Sequence, residues 1–228
     1  MIVPRFTPEQ CLILTDADIE SLIATAMASE QQSINSIDPS ILAPAWWAKN
    51  SDELDLVLPV LESAARSQAE IYALHVLPDH AFYPPDSNES AQITTSIQQS
   101  RMLLDAAYLA MQLGLKRVVW PIRIPESHPD RIAAIGEAID RAMLISRLVS
   151  IDANPDTAPE LLIETPFVDL SDDQIADLAQ DIAIPIDTCW WTGAGDIAMA
   201  QQRSEAWKTI DPRQSAMLEP KPGVRTTI

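Results

Sequence analysis

Basic side chains are scarce in this sequence: 15 lysines and arginines stand against 33 aspartates and glutamates, a formal net charge of −18. Lysine occurs only at Lys49, Lys116, Lys208 and Lys221. A duplex or tRNA is normally met by a basic face, so this balance argues against a nucleic-acid partner. The acidic surplus reads instead as a solvated surface that keeps the chain soluble. Cysteine is nearly absent too. Cys11 and Cys189 are the only two, which suits reduced, buried thiols and excludes both a disulfide framework and a four-cysteine zinc site. His75, His80 and His128 are scattered without ligand spacing, so no metal site is expected. No apolar run reaches the roughly 18 residues that span a bilayer. The opening MIVPRFTPEQ has neither the basic flank nor the apolar stretch of a secretory signal. The expected location is the cytoplasm, with no membrane partner. Nor is there a serine-histidine-aspartate order, a G-x-S-x-G or a Walker A motif.

What is present suits a globular fold. Hydrophobic residues make up 47% of 228, enough for one α/β domain with a sizeable core. Cys11-Leu12-Ile13-Leu14 is a short apolar run of the kind that forms a buried parallel strand. Thr15-Asp16-Ala17-Asp18 then supplies capping side chains, and Leu22, Ile23, Ala26 and Met27 recur at helical spacing. Further strands are expected at Ile41 to Ala43, with Pro44 pushing that strand toward an end or an edge, at Ile71 to Leu77, at Val118 to Ile122 and at Leu161 to Glu164. Helices are expected at Asp52 to Gln68, kinked or delayed by Pro59, and at Ser96 to Leu113, stopped by Gly114. The next carries Ile132, Ile135, Ile139, Ala142 and Met143 as its face. The clearest start is Ser171 with Gln174 three residues on, a capping-box spacing before Ile175, Leu178, Ala179 and Ile182, with Pro185 closing the element. Pro78 to Glu89 reads as a loop.

Alternating strands and helices imply an α/β, Rossmann-like three-layer α/β/α fold on a parallel sheet of about five strands. Residues 1–210 form the expected single domain, and 211–228, with Pro212, Pro220 and Pro222, a C-terminal tail. Ligands of such sheets gather at the carboxyl ends of the strands.

The block Glu164-Thr165-Pro166-Phe167-Val168-Asp169-Leu170-Ser171, followed by Ile175, Leu178, Ile184-Pro185 and Trp190, resembles the C-terminal part of the 7-cyano-7-deazaguanine synthases. These are PP-loop ATPases of the adenine nucleotide alpha hydrolase superfamily. Arg203-Ser204-Glu205-Ala206-Trp207 is similar to the arginine-to-aromatic helix that ends those enzymes. The order of elements agrees over most of residues 10–210.

The resemblance also exposes departures. PP-loop enzymes carry Ser-Gly-Gly-x-Asp-Ser after the first strand, where bare backbone and a helix N-terminus receive the ATP pyrophosphate. Here Asp16-Ala17-Asp18-Ile19-Glu20-Ser21 stands in that place and keeps only the final serine. Two added carboxylates face the anion site, and unit charges ~4 Å apart repel by about 4 kcal/mol at a surface-like dielectric. Thr192 takes the place of the family's first zinc cysteine, Gly193-Ala194-Gly195-Asp196 replaces the loop holding the others, and Cys189 is three residues out of register. No zinc is expected, and ATP with magnesium would be a cofactor only if the degenerate loop still bound phosphate. Arg101 lies near where the resemblance places an arginine-asparagine pair close to the nucleotide.

Each candidate has a plainer reading. Asp16, Asp18 and Glu20 could form a remodelled metal-assisted site, but acid-rich first turns usually serve the helix dipole, at roughly 0.3–1 kcal/mol each. Arg101 could equally be a surface or ion-pair arginine. Trp46-Trp47 and Trp190-Trp191 lie near strand and helix ends, where they could line a pocket or an interface, or fill core. His75 reads as a core histidine, and Asp169 and Asp173 as turn and cap residues. Three functions follow. The preferred one is a divergent, non-catalytic relative that uses the fold for protein interaction, with a homodimer carried over from the family. The others are an enzyme with a remodelled nucleotide or nucleoside pocket and an active ATP-dependent deazaguanine-type synthase.

Overall fold

A computed structural model describes residues 9–47, 54–77, 82, 95–152 and 160–210. The expected Pro78 to Glu89 loop, apart from Phe82, and the expected 211–228 tail lie outside the described residues. The strands are β1 (Leu12–Thr15), β2 (Ile41–Pro44), β3 (His75–Val76), β4 (Arg117–Val119) and β5 (Leu162–Glu164). The helices are α1 (Ile19–Asn35), α2 (Leu54–Tyr72), α3 (Thr95–Gln112), α4 (Arg131–Asp152), α5 (Asp172–Ile182) and α6 (Ala198–Ile210). All pairings are parallel, in the order β3-β2-β1-β4-β5. The fold is α/β, Rossmann-like, with helices on both faces of a five-stranded parallel sheet.

The period-2 geometry of the strands builds two cores. Cys11, Ile13, Leu42 and Val119 point to the side covered by α1, α2, α5 and α6. Leu12, Leu14, Ala43, Val118 and Ile163 point to the side covered by α3 and α4. Both faces are buried, which is why the strands read as continuous apolar runs. The chain winds from β1 to β2 and β3, then returns to the other flank of β1 with β4. Strand order therefore reverses between β1 and β4, and the crevice beyond their carboxyl ends is the expected ligand position of such a sheet.

Several elements depart from expectation. Ile71 and Tyr72, predicted as strand, are the last turn of α2; Ala73, with φ 52, ends the helix and leaves only His75–Val76 to pair with β2. His75 is exposed on this edge strand and is no core histidine. Pro59 sits inside α2, six residues into it, so the helix neither starts after it nor stops at it. Pro44 ends an interior strand, where its missing N–H removes no ladder bond within β2. The strand predicted to reach Ile122 stops at Val119. The face of α4 is also corrected: Ala138, Ala142, Ile145, Ser146 and Val149 are buried, while Ile132, Ile139 and Met143 are exposed. Apolar side chains recur on every side of this helix, so periodicity could not select which stripe meets the sheet.

The α5 start matches its reading. Ser171 Oγ accepts from the Gln174 amide at 3.1 Å, and the Gln174 carboxamide oxygen accepts from the Ser171 amide at 2.8 Å. Ser171→Ala removes one half of this box and is expected to cost about 1 kcal/mol in urea unfolding. A loss under a few tenths would show that the cap is energetically idle. Gly114 ends α3 with φ 74, the left-handed stop anticipated there.

Candidate functional site

The turn between β1 and α1 lies at the carboxyl edge of the central strand, beside the switch point. It is closed on itself by side chains. Four successive amides donate inside it: Asp16 N to Ser21 Oγ (3.2 Å), Ala17 N to Thr15 Oγ1 (3.0 Å), Asp18 N to Asp16 Oδ1 (3.1 Å) and Ile19 N to Asp18 Oδ1 (2.8 Å). Ser21 Oγ returns a hydrogen bond to Asp16 Oδ1 at 2.5 Å. These are the amides that would face an anion at a bare helix N-terminus, and here the acceptors are already built in. Ala17 adopts φ 54 where the resemblance gives glycine, so the chain makes a left-handed turn there without the residue that accommodates it most readily.

Two arginines neutralise the acids. Arg203 on α6 donates through Nε to Asp18 Oδ2 (2.5 Å) and through Nη2 to Glu20 Oε2 (3.2 Å). Arg123, just past β4, donates through Nε to Glu20 Oε1 (2.6 Å) and also pairs with Asp172 at the first turn of α5. The Glu20 carboxylate is thus held between two guanidiniums across the switch point. Its burial favours the neutral form, but the charges of Arg203 and Arg123 outweigh that and lower its pKa. Burial works against the charge of Arg203 as well, yet Asp18 and Glu20 hold its pKa above the usual arginine value. Asp16 makes no ion pair among the described residues. Burial, then the Asp18 charge, push its carboxyl up to about 7 against the Ser21 hydrogen bond. The cluster thus sets two guanidiniums, Arg123 and Arg203, among Asp18, Glu20 and Asp172, with the Asp16 carboxyl beside them holding its proton part of the time near neutral pH.

The tryptophans divide. Trp191 Nε1 donates to Asp18 Oδ1 at 2.8 Å, and the Trp190 amide donates to the Ala17 carbonyl at 3.1 Å. Trp46 meets Trp190 edge to face, with ring centroids 5.9 Å apart and planes at 79°. Gln68 Nε2 also donates to the Ala17 carbonyl, at 3.2 Å. Trp47, by contrast, packs on the α3 side, where its carbonyl accepts from Gln99. Arg101 is exposed on α3, and the group it acts on electrostatically is Asp105. Thus Asp16, Ala17, Asp18, Ile19, Glu20, Ser21, Trp46, Trp190 and Trp191 converge on one place, and Trp47 and Arg101 do not join them. Arg123, Arg203 and Gln68 are additions. Only Arg203 carried a sequence signal, as the first residue of the arginine-to-aromatic block.

The segment at the family's zinc position is held by hydrogen bonds and packing. Two 3₁₀ turns span Ile186–Thr188 and Trp190–Thr192. Thr192 Oγ1 donates to the carbonyls of Asp187 (2.6 Å) and Cys189 (2.7 Å), and Ala194 is buried. The Cys189 thiol is buried, and burial raises its pKa well above the ordinary value, a setting that disfavours a metal-ligating thiolate. Among the described residues no group of three or more histidine, cysteine or acidic side chains is arranged to hold a metal ion. A cavity of about 280 Å³ lies between the turn and α6, lined by Asp16, Trp46, Trp190, Met199 and Arg203 among others.

No family model matches the sequence, and no curated protein matches it. Solved structures that match the fold include the U34-tRNA thiolase NcsA from Methanococcus maripaludis with its 4Fe-4S cluster, at a TM-score of 0.47 and 10% identity. The match covers 95% of this chain and 70% of that one. At that identity and TM-score nothing is carried over from it to this chain. Among the described residues no helix is long and apolar enough to cross a membrane.

Proposed function

We propose that this chain is a divergent PP-loop superfamily protein, similar to the 7-cyano-7-deazaguanine synthases, that has lost ATP-dependent catalysis and acts as a non-catalytic binding or interaction domain. One observation carries the reading: the four amides of residues 16–19 are bonded to the turn's own side chains. A pyrophosphate would have to displace the Thr15, Asp16, Asp18 and Ser21 side chains together and then face the carboxylates of Asp16 and Asp18. The arginines that could offset phosphate charge are engaged with Asp18, Glu20 and Asp172. Support for the family rests on the sequence block from Glu164 to Trp190. Ser171 caps α5, and the Trp190 amide closes the β1 turn.

Titrating ATP with magnesium during thermal unfolding tests this. A ligand at 100 times its Kd adds about 2.7 kcal/mol, a rise of roughly 5–10 °C for a chain of this size. The expected result is no rise. A rise of that size that vanishes in Ser21→Ala would reinstate a phosphate-binding loop, and with it the ATP-dependent synthase.

A second reading is favoured by the cavity beside Asp16. Its walls include Trp46 and Trp190, and Trp46 Nε1 is buried without a hydrogen-bond partner among the described residues. Flat apolar walls with a carboxyl that protonates near neutrality suit an uncharged nucleoside better than a phosphate. Stabilisation by adenosine or guanosine, with none by the triphosphates, would select this remodelled pocket over the pure interaction domain.

A further inference from the structure

Strand β5 ends the sheet on its side, so among the described residues one of its edges has no strand beside it. The Leu162 amide donates to the Lys116 carbonyl, and the Glu164 carbonyl accepts from the Trp120 amide, both at 2.8 Å. Residues 162 and 164 therefore turn their backbone groups toward β4. By the strand's period of two, the amides of Leu161 and Ile163 turn the other way. Leu161 and Ile163 are 3% and 5% exposed, so their amides need a partner within the protein. Two serines of α4 supply it. Ser146 Oγ accepts from the Ile163 amide at 2.9 Å, and Ser150 Oγ accepts from the Leu161 amide at 3.4 Å.

We infer that Ser146 and Ser150 lock the free edge of β5: two hydroxyls of α4 stand where a sixth strand would pair, and they close the sheet to strand addition. The spacing of the two serines fits this task. Residues four apart on a helix rise ~6 Å. Residues two apart on a parallel strand rise ~6.6 Å. One helical turn thus presents two acceptors to two successive outward amides. Ser146 takes the later amide and Ser150 the earlier one, because a crossover helix runs against the strands it connects. Ser150 Oγ also donates to the Ser146 carbonyl at 2.8 Å, which uses its proton and leaves its oxygen to accept.

An unlocked edge would be a hazard at this place. A groove of about 520 Å³ runs past the start of β5, lined by Met143, Ser146, Leu161 and Leu162 among others. Met143 and Leu162 are 62% and 49% exposed. Free amides beside exposed apolar side chains are a template for any extended chain. The opposite edge is managed by length instead, since β3 has only two residues to extend. The lock shares no residue with the closed β1 turn. Its failure would leave the nucleotide titration unaffected, and the converse holds too.

Amide hydrogen exchange on the full chain tests the lock residue by residue. In Ser146→Ala the Ile163 amide is expected to exchange at least about tenfold faster, while the Leu162 amide, bonded to Lys116, keeps its protection. Ser146→Thr retains the hydroxyl and should retain the protection. Ser150→Ala, at a half-buried position, should release the Leu161 amide alone and keeps the test valid if Ser146→Ala does not fold. The variant lacking both hydroxyls is expected to form thioflavin-binding assemblies at concentrations where the wild type stays soluble. Adding Leu162→Lys, a charge on the opened edge, should suppress them. Unchanged protection of Ile163 and Leu161 in the alanine variants overturns the lock. Released amides in a folded variant that never assembles would show that the hydroxyls only satisfy backbone groups, and would overturn the closure of the sheet to added strands.

Discussion

Arg203→Ala is expected to lower the unfolding free energy by about 3–5 kcal/mol, the range for removing one partner from a buried ion pair. The Arg203 side chain is 21% exposed, and its partners Asp18 and Glu20 are 12% and 11% exposed. Among the described residues, truncation leaves the Asp18 carboxylate with the Trp191 indole and the Ile19 amide, and leaves Glu20 to Arg123. The penalty comes from stranded charge, so it should fall when the charge is removed as well. Adding Asp18→Asn and Glu20→Gln to Arg203→Ala is expected to recover much of the loss. Urea unfolding of the wild type, the single and the triple variants measures both effects. A single-variant loss below about 1 kcal/mol, the size of an exposed pair, would show that the cluster is screened by water.

Asp16→Asn should do the opposite, and its effect should depend on pH. The folded-state pKa of Asp16 is raised to about 7 by burial and by the neighbouring Asp18. A raised carboxyl binds its proton more tightly in the folded chain than in the unfolded one. The stability this gives is fully present below the ordinary aspartate pKa of about 3.9 and is lost as the pH climbs through about 7. At pH 8 the wild type holds an unpaired carboxylate beside Asp18. There Asp16→Asn is expected to be more stable than the wild type by roughly 1–3 kcal/mol, and near pH 4 the two should converge. The amide can still accept from Ser21 and from the Asp18 N–H, as Asp16 Oδ1 does. Glu20 runs the other way: its pKa is lowered, so its contribution is present above the ordinary glutamate value and is lost as the pH falls through the lowered one. Unfolding midpoints of both proteins from pH 4 to 8 check the difference. Parallel profiles would mean that Asp16 titrates as an ordinary aspartate.

Much of the fold was legible in the sequence because its signals are local. Ser171 and Gln174 define a helix start within four residues, and Gly114 a helix stop within one. Buried runs such as Leu12 to Leu14 announce strands whose two faces are both covered. The misreadings arose where local patterns are degenerate. Ile71 and Tyr72 suit either a strand or the end of a helix, and only the left-handed Ala73 decides the matter. Helix α4 offers apolar residues in every direction.

The site divides along the same line. Its acids were visible because capping residues cluster in sequence. Arg123, about a hundred residues further on, was not, because a long-range pair leaves no spacing to read. The acidic surplus was read as solvated surface, and composition carries no signal for the acids that are buried against arginines at the turn. Arg101 had positional analogy in its favour, but it is Arg203 and Arg123 that reach the turn.

The tie from Asp18 to Arg203 has a consequence for the order of events during synthesis. The acidic turn leaves the ribosome well ahead of the groups that complete it: the Trp190 amide, the Trp191 indole and the Arg203 guanidinium come more than 170 residues later. Until then, repulsion among Asp16, Asp18 and Glu20 opposes closure of the turn, and the central strand lacks a finished carboxyl edge. Contacts this distant in sequence slow folding and make it cooperative. Strand β1 is thus made well before α6 yet secured only with it, and a nascent chain that stops short of α6 exposes a charged, unclosed sheet edge to quality control.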